Sequence, residues 1–156
     1  MTTNPYSPPT ARVADRQELE EAPAIWNPNA AANWSLVFSP AFGAFLHMLN
    51  WQALGETGKA ASAKGWFIAS LVMLGAYLVL ALLLSEGATQ SVGVAYLLAW
   101  YFSAGRGQAR YVKDKFGRMY PRRGWAKPLL IGVVAILGYL VLAVIVGVLF
   151  GVAEQV

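Results

Sequence analysis

Two long uncharged stretches dominate the pattern of hydrophobic and polar positions along the chain. The first covers residues 66–84 and the second residues 128–153, and both consist almost entirely of apolar and small side chains. With a rise of about 1.5 Å per residue, a helix of either length crosses a hydrocarbon core of about 30 Å. The pattern therefore predicts transmembrane helices at 66–84 and 128–153.

A third segment, residues 89–104, is shorter and more polar than these two. It follows a tight turn at 85–88 and precedes a basic loop at 105–127. The linker before the first span carries Lys59 and Lys64, and both basic flanks stay on one side of the membrane only if the chain crosses back between them. We therefore predict a third transmembrane helix over 89–104.

The segment 33–54 is amphipathic but carries no charge. Wound as one helix, it places large aromatic side chains on one face. The smaller or weakly polar Pro40, Gly43, His47 and Asn50 lie on the other. The segment fits a fourth span kinked at Pro40, a re-entrant loop from Pro40 to Gly43, or a helix lying along the interface. Of these, we favour the arrangements that leave the N-terminus in the cytoplasm.

The first 31 residues differ from the rest of the chain in composition. They are rich in Pro, Asn, Thr and Ala and contain a patch of mixed charge that cannot bury a core. We predict a disordered or partly helical tail over 1–31 and a membrane domain over 32–156. The predicted fold class is an all-α polytopic membrane helix bundle, with three transmembrane helices and one further spanning, re-entrant or interfacial helix.

The loop 105–127 orients the chain, because short loops rich in Lys and Arg remain in the cytoplasm. Its only acid is Asp114. This places the C-terminus outside and predicts a multi-pass protein of a bacterial inner membrane. The same side chains are candidate contacts for anionic lipid, although a loop that only sets the topology explains them as well. They are Arg106, Arg110, Lys113, Lys115, Arg118, Arg122, Arg123 and Lys127.

Composition narrows the function classes. The chain is 57% hydrophobic and 13% charged, which is far more apolar than a soluble domain of this length requires. There is no cysteine, so disulfides, thiolate metal sites and thiol catalysis are excluded. The formal charge of +4 comes mostly from one loop between apolar stretches, so we expect the bilayer, and no nucleic acid, as its partner.

One polar cluster merits attention as candidate chemistry. Ser39, His47 and Asn50 fall near one another on a helical pattern, and an ionisable group at membrane depth is a functional candidate. However, no acid, cysteine or second histidine accompanies them in the apolar stretches. A catalytic triad or a metal site needs such partners, so we expect a packing or interfacial role for His47, with no catalytic residue, metal or cofactor.

Small residues recur every four positions in the last predicted span. Ala143, Gly147 and Gly151 form a groove that lets a second helix approach closely. The pattern fits packing within the chain as well as a homo-oligomer.

A motif of 19 residues, at positions 26–44, resembles the sequence of a known family. Residues 26–44 read Trp-Asn-Pro-x-Ala-Ala-x-x-Trp-Ser-Leu-x-Phe-Ser-Pro-x-Phe-Gly-Ala, and His47 and Asn50-Trp51 follow. This pattern resembles a family of uncharacterised small bacterial inner-membrane proteins, some of which carry a GYF-like domain in front of the motif. The resemblance implies a membrane location and a cytoplasmic N-terminus, and it brings no activity.

The sequence therefore favours a non-enzymatic protein that acts by interaction. Its partner is either a larger membrane complex or a membrane-directed toxin that the protein neutralises. The first alternative is an oligomeric channel or small-solute facilitator, and the second is a protein that binds or acts on lipid. The candidate pore-lining residues are Ser70, Tyr77, Ser91, Tyr96 and Tyr101.

Overall fold

The computed structural model describes residues 22–153, with the side chains of this range except those of Glu86 and residues 151–153. No β-strand occurs in this range, so the predicted all-α class is confirmed. The elements are α1 (Pro28–Phe38), α2 (Pro40–Ala53), α3 (Thr57–Leu83), α4 (Glu86–Trp100), a π-helical turn (Tyr101–Gly105), α5 (Arg106–Phe116) and α6 (Ala126–Ala153).

Two helices are long and apolar enough to cross a membrane: α3 and the part of α6 from Ala126 to Phe150. Only 6% of the most apolar 18-residue window of each is buried within the chain. A core helix of a soluble protein would bury most of such a window, so this exposed apolar surface indicates a membrane protein. The helices extend the predicted spans 66–84 and 128–153 at their N-terminal ends.

The predicted third span is not confirmed as a separate helix. In its place, α4, the π turn and α5 follow one another with helical backbone at both junctions, so the chain is helical from Glu86 to Phe116. The predicted basic connection over 105–127 therefore contains a helix in its first half. Gln108, Val112 and Phe116 recur every four residues and form the buried face of α5, which stabilises a helix there.

The segment 33–54 is not one helix, because the chain breaks at Ser39. Ser39 has φ 99° and ψ 160°, a region that is otherwise almost restricted to glycine, and the following Pro40 starts α2. A Cβ atom added to Gly43 would lie 2.0 Å from Ser35 Oγ, so α1 and α2 approach closely on either side of the break. They form a helical hairpin with Ser39 at its tip.

The hairpin begins earlier than the sequence suggested. Pro28 occupies the first turn of α1, where its missing N–H costs nothing, and Asn27 Oδ1 accepts hydrogen bonds from the backbone N–H groups of Asn29 and Ala30. Residues 28–31 are therefore helical, which corrects the end of the predicted tail. The rest of that tail, residues 1–21, lies outside the described residues.

Residues 22–27, here called the strap, run from the start of the described chain to α1. The Ile25 N–H donates to Pro121 O at 3.1 Å, and the Arg123 N–H donates to Ile25 O at 3.0 Å. The Ile25 side chain is fully buried against Val112 and Phe116. The strap is thus held between α5 and the linker that leads to α6.

The strap, the base of the hairpin and the basic segment form one closed unit, here called the cap, made of residues 22–28, 47–56 and 106–125. Below it, fully buried Trp100 packs beside Ala32 and Ala44, and a Cβ atom on Gly43 would lie 2.6 Å from its ring. Tyr139 Oη donates to Leu74 O at 3.1 Å and ties α6 to α3. The ring of His47, in the cap, lies 5.9 Å from that of Trp100, so the cap packs directly on the residues around Trp100.

Candidate functional site

The buried polar side chains of the cap converge on Asn50, which is fully buried near the end of α2. Its Oδ1 accepts from the Trp26 N–H at 3.0 Å, and its Nδ2 donates to Trp26 O at 2.9 Å. This pairing of one amide side chain with one backbone unit fixes the strap against the hairpin. Nδ2 also donates to Gln108 Oε1 at 2.9 Å, which brings in α5.

Gln108 completes the network from the opposite side. It is fully buried, and its Nε2 donates to His47 O at 2.9 Å. The amide of Gln108 therefore joins the α2 backbone at His47 to the side chain of Asn50. Three segments that are distant in sequence, the strap, α2 and α5, meet at these two amides.

His47 lies beside this network, with its ring at 5.9 Å from that of Trp100. Its Nε2 is 3.1 Å from Pro28 O. Because a carbonyl oxygen can only accept, Nε2 carries the proton. Burial lowers the pKa of the imidazole to about 4, against a smaller opposing effect of the bond to Pro28. His47 is therefore a neutral donor at physiological pH.

Of the three residues proposed as a polar cluster, the structure links two. His47 and Asn50 are joined through Gln108, whereas Ser39 lies at the hairpin tip, lining an apolar groove. Within the described range, every buried side-chain nitrogen and oxygen has a hydrogen-bond partner. The buried polar side chains of the cap therefore form hydrogen bonds within the protein that stabilise the cap.

The surface of the cap is basic and largely unneutralised. The ion pair found among the described side chains joins Lys59 to Glu56 at 3.1 Å, and it involves none of the cations of α5 or the linker. Hydrogen bonds from Tyr111 and from Lys59 lower the pKa of the Glu56 carboxyl. Arg123 lies over the Trp26 ring at 4.8 Å, and Arg122 lies over Tyr120 at 5.4 Å.

Three clefts open around α5. An amphipathic cleft of about 440 Å³ has aromatic walls, where Trp51 and Tyr111 meet edge to face at 5.0 Å and Lys59 Nζ lies 4.0 Å from the Tyr111 ring centre. An outer basic cleft of about 430 Å³ is lined by Lys113, Arg118 and Arg122. An inner basic cleft of about 290 Å³ separates α1 from the π turn and is described below.

The basic residues predicted to contact lipid therefore lie in different parts of the structure. Arg106, Arg110 and Lys113 line the inner cleft. Lys115 lies instead over the rings of Tyr111 and Phe116, and Lys127 lies on the first turn of α6. The charge of the segment is thus concentrated in two clefts and is not spread evenly.

The groove predicted from the small residues of α6 is not filled at Gly147 by another helix of the described residues. Ala143 is half-buried, and nothing lies within 4 Å of a Cβ atom placed on Gly147. Gly151 is helical. Nearer the start of α6, Gly132 contacts Phe38 and borders an apolar groove of about 330 Å³ at the hairpin tip. The packing of α6 within the chain therefore uses its first half.

Gln108 and Trp26 were missed as site residues by reasoning from the sequence. Their hydrogen bonds to Asn50 join positions 58 and 24 residues apart, which no local spacing reveals. One signal was present: Gln108 continues the apolar face made by Val112 and Phe116, so a polar residue is buried on an otherwise basic helix. Such a residue needs an internal partner.

Fold and site together define a helical membrane protein with a closed, hydrogen-bonded cap and a basic outer surface. Comparison with family models, curated proteins and solved structures gives no match. The resemblance carried by residues 26–44 therefore stays a prediction, and the function has to be argued from the geometry.

Proposed function

We propose that this protein is a three-span membrane protein that acts by binding an acidic partner at a cytoplasmic cap, without catalysing a reaction. The observation that carries the proposal is the full use of the buried polar groups of the cap in structural hydrogen bonds. No cluster of side chains able to hold a metal occurs among the described residues. What the cap offers to other molecules is its basic surface.

The proposed third span is α4, continued by the π turn. The helical stretch from Glu86 to Phe116 is about 46 Å long, which exceeds the hydrocarbon thickness and leaves α5 outside the membrane. Lys59 and the cations of α5 and its linker then face the same side, as expected for the cytoplasm. Both α3 and α6 end on the opposite side.

The hairpin is proposed to enter the membrane and return. The start of α1 and the end of α2 meet in the cap, since Trp26 bonds to Asn50 and Pro28 to His47. At the tip, Leu36 and Val37 are 66% and 60% exposed. An 11-residue helix is about 16 Å long, so the tip reaches about the middle of the bilayer.

This topology predicts that both the N-terminus and the basic segment are inaccessible from outside. Because the chain has no cysteine, single cysteines at Thr3 and Lys115 report the side directly. We expect an impermeant maleimide to label neither in intact spheroplasts and to label both after lysis. The control is Gly87→Cys in the α3–α4 turn, which should label in intact cells, because nothing lies within 4 Å of a Cβ atom placed there. Labelling of Thr3→Cys in intact cells would instead indicate a hairpin that spans the membrane.

The proposed docking surface is the outer basic cleft, which is lined by Lys113, Arg118 and Arg122 and by Tyr120, whose ring centre lies 5.4 Å from the Arg122 guanidinium. Its lining contains no Asp or Glu. Charge complementarity therefore favours an acidic segment of a membrane protein, either a larger complex or a toxin that this protein neutralises. Asn27 of the strap forms part of the cleft wall. Because the strap is already held by hydrogen bonds, binding of a partner costs little conformational entropy.

The test is quantitative purification at near-native expression in a mild detergent. We expect a stoichiometric protein partner with an acidic segment, and we expect Arg118→Glu with Arg122→Glu to reduce its recovery at least tenfold, because charges of equal sign then face each other. The matched control, Lys64→Glu with Lys127→Glu, changes the net charge equally outside the cleft. Recovery of the bare protein, or equal loss in both variants, would contradict the proposal.

The channel alternative is less well supported. Two of the candidate pore-lining residues face each other inside the chain: Ser70 Oγ and Tyr96 Oη lie 3.0 Å apart, and Ser70 Oγ also donates to Trp66 O. A third, Ser91, donates to Gly87 O one turn earlier on its own helix. These hydroxyls hold α3 against α4 or are satisfied locally, so they do not form one polar stripe.

A further inference from the structure

We propose that the inner basic cleft binds the headgroup of an anionic phospholipid of the cytoplasmic leaflet, whose acyl chain lies along α4. The inference rests on the proposed membrane orientation of α4, but it does not require a protein partner. The site is formed by Arg106, Arg110 and Lys113. Lys113 also borders the outer cleft, whereas Arg118 and Arg122 belong to the outer cleft and do not line this one.

The three cations of the cleft are placed together by helix periodicity. Arg106, Arg110 and Lys113 are separated by four and three residues, so they share one side of α5. The cleft they line has a volume of about 290 Å³, and its opposite wall is the first turn of α1 at Asn29 and Ala32. None of its lining residues is acidic. A phosphate group entering the cleft therefore meets positive charge and no competing carboxylate.

A lipid-facing apolar stripe leads directly to this cleft. Val94, Leu98 and Phe102 occur at intervals of four residues and are 55%, 48% and 63% exposed. The next residue at the same interval is Arg106, whose guanidinium lies 5.6 Å from the centre of the Phe102 ring. An acyl chain lying on the stripe thus has its headgroup at the level of Arg106. This continuity favours a phospholipid over a free phosphate ion.

The π turn contributes to the alignment of the stripe with the cleft. In a regular α-helix, residues four apart are rotated by about 40° relative to each other, so a stripe of this spacing winds around the helix. The π turn covers Tyr101–Gly105 and turns the chain less per residue. It therefore offsets part of this rotation between Phe102 and Arg106. Tyr101 also lines the cleft, with its ring centre 6.0 Å from the Arg106 guanidinium.

The test measures lipid retained by the full chain in native mass spectrometry, with palmitoyl-oleoyl phosphatidylglycerol and the corresponding phosphatidylcholine supplied in equal amounts. We expect selective retention of phosphatidylglycerol. Each cation near an anionic headgroup strengthens binding about fivefold, so Arg106→Gln, Arg110→Gln and Lys113→Gln together should weaken it by about a hundredfold. The control removes three charges outside the cleft, by Lys64→Gln, Lys115→Gln and Lys127→Gln, and should retain the lipid.

Several results would overturn the proposal. Equal loss of phosphatidylglycerol in both triple variants would show a general effect of net charge. Equal retention of phosphatidylglycerol and phosphatidylcholine would show that the cleft does not recognise the anionic headgroup. Glycerol phosphate that binds as tightly as the lipid would indicate a soluble phosphate ligand. Thermal unfolding of the cleft variant is followed by tryptophan fluorescence. An unfolding temperature equal to that of the unaltered protein shows that a loss of lipid is not caused by misfolding. Recovery of the acidic protein partner is scored independently with the Arg118 and Arg122 variants.

Discussion

Replacing Asn50 with alanine is expected to destabilise the folded protein by about 3 kcal/mol or more. The variant removes three hydrogen bonds at once and leaves the N–H and C=O of Trp26 and the Oε1 of Gln108 without partners. Each buried polar group left unsatisfied costs about 1–3 kcal/mol. This loss is a large share of the roughly 5–15 kcal/mol by which domains are typically stable. Because the lost bonds are those of the strap, the strap should detach before the helices unfold. Hydrogen exchange of residues 22–27 and unfolding in mixed micelles measure the two effects.

Gln52→Ala is the matched control for this prediction, because Gln52 lies on the same helix and is exposed. It should change stability by less than about 0.5 kcal/mol. A double-mutant cycle with Gln108→Ala gives a second check, since residues in one hydrogen-bond network are not additive. If Asn50→Ala and Gln52→Ala unfold alike, or if the cycle is additive, the network does not hold the cap closed.

Acidification is expected to destabilise the cap through His47. The pKa of this imidazole is about 4 in the folded chain and 6.5 when unperturbed, so the unfolded state takes up a proton first as the pH falls. The contribution of neutral His47 is complete above pH 6.5, declines between pH 6.5 and 4, and is lost below. The difference corresponds to about 3 kcal/mol. Unfolding free energies in detergent should therefore fall by about 2–3 kcal/mol between pH 7.5 and 4.5.

His47→Gln isolates this effect, because the amide of glutamine keeps a donor near Pro28 O but does not titrate. The variant should lose most of the decline between pH 6.5 and 4.5. Titration of carboxyl groups such as Glu56, whose pKa is also lowered, destabilises the fold in the same direction and remains in both proteins. The prediction concerns the difference between them. An identical decline in the two proteins would contradict it.

The helices that were predictable are those whose apolar surface has no partner in the chain. The apolar parts of α3 and α6, residues 66–83 and 128–153, follow from hydropathy alone, because lipid-facing residues need only be apolar and continuous. By contrast, the hairpin depends on one residue, Ser39, whose backbone conformation is unfavourable in isolation. The sequence allowed a span, a re-entrant loop or an interfacial helix at this point, because periodicity continues across the break.

The site was predictable in composition but not in arrangement. His47 and Asn50 stood out as polar residues among apolar ones, but their partners are Pro28 O and Gln108, which are 19 and 58 residues away. Likewise, the abundance of basic residues was evident from the sequence. Their separation into two clefts depends on the helix that α5 forms and on how the strap lies beside it, and both are consequences of tertiary packing.

The closure of the strap also has a consequence for synthesis. Ile25 and Trp26 leave the ribosome early, yet they bond to Pro121 and Gly124, and the indole of Trp26 reaches Gly124 across 98 residues. A contact of such long sequence separation forms late and slowly, after the helices between its ends have been inserted. The Trp26 backbone can pair with Asn50 once the hairpin has formed, but the bonds of Ile25 and of the Trp26 indole wait until the segment before α6 has been synthesised. The cap is therefore completed only when synthesis reaches the start of α6.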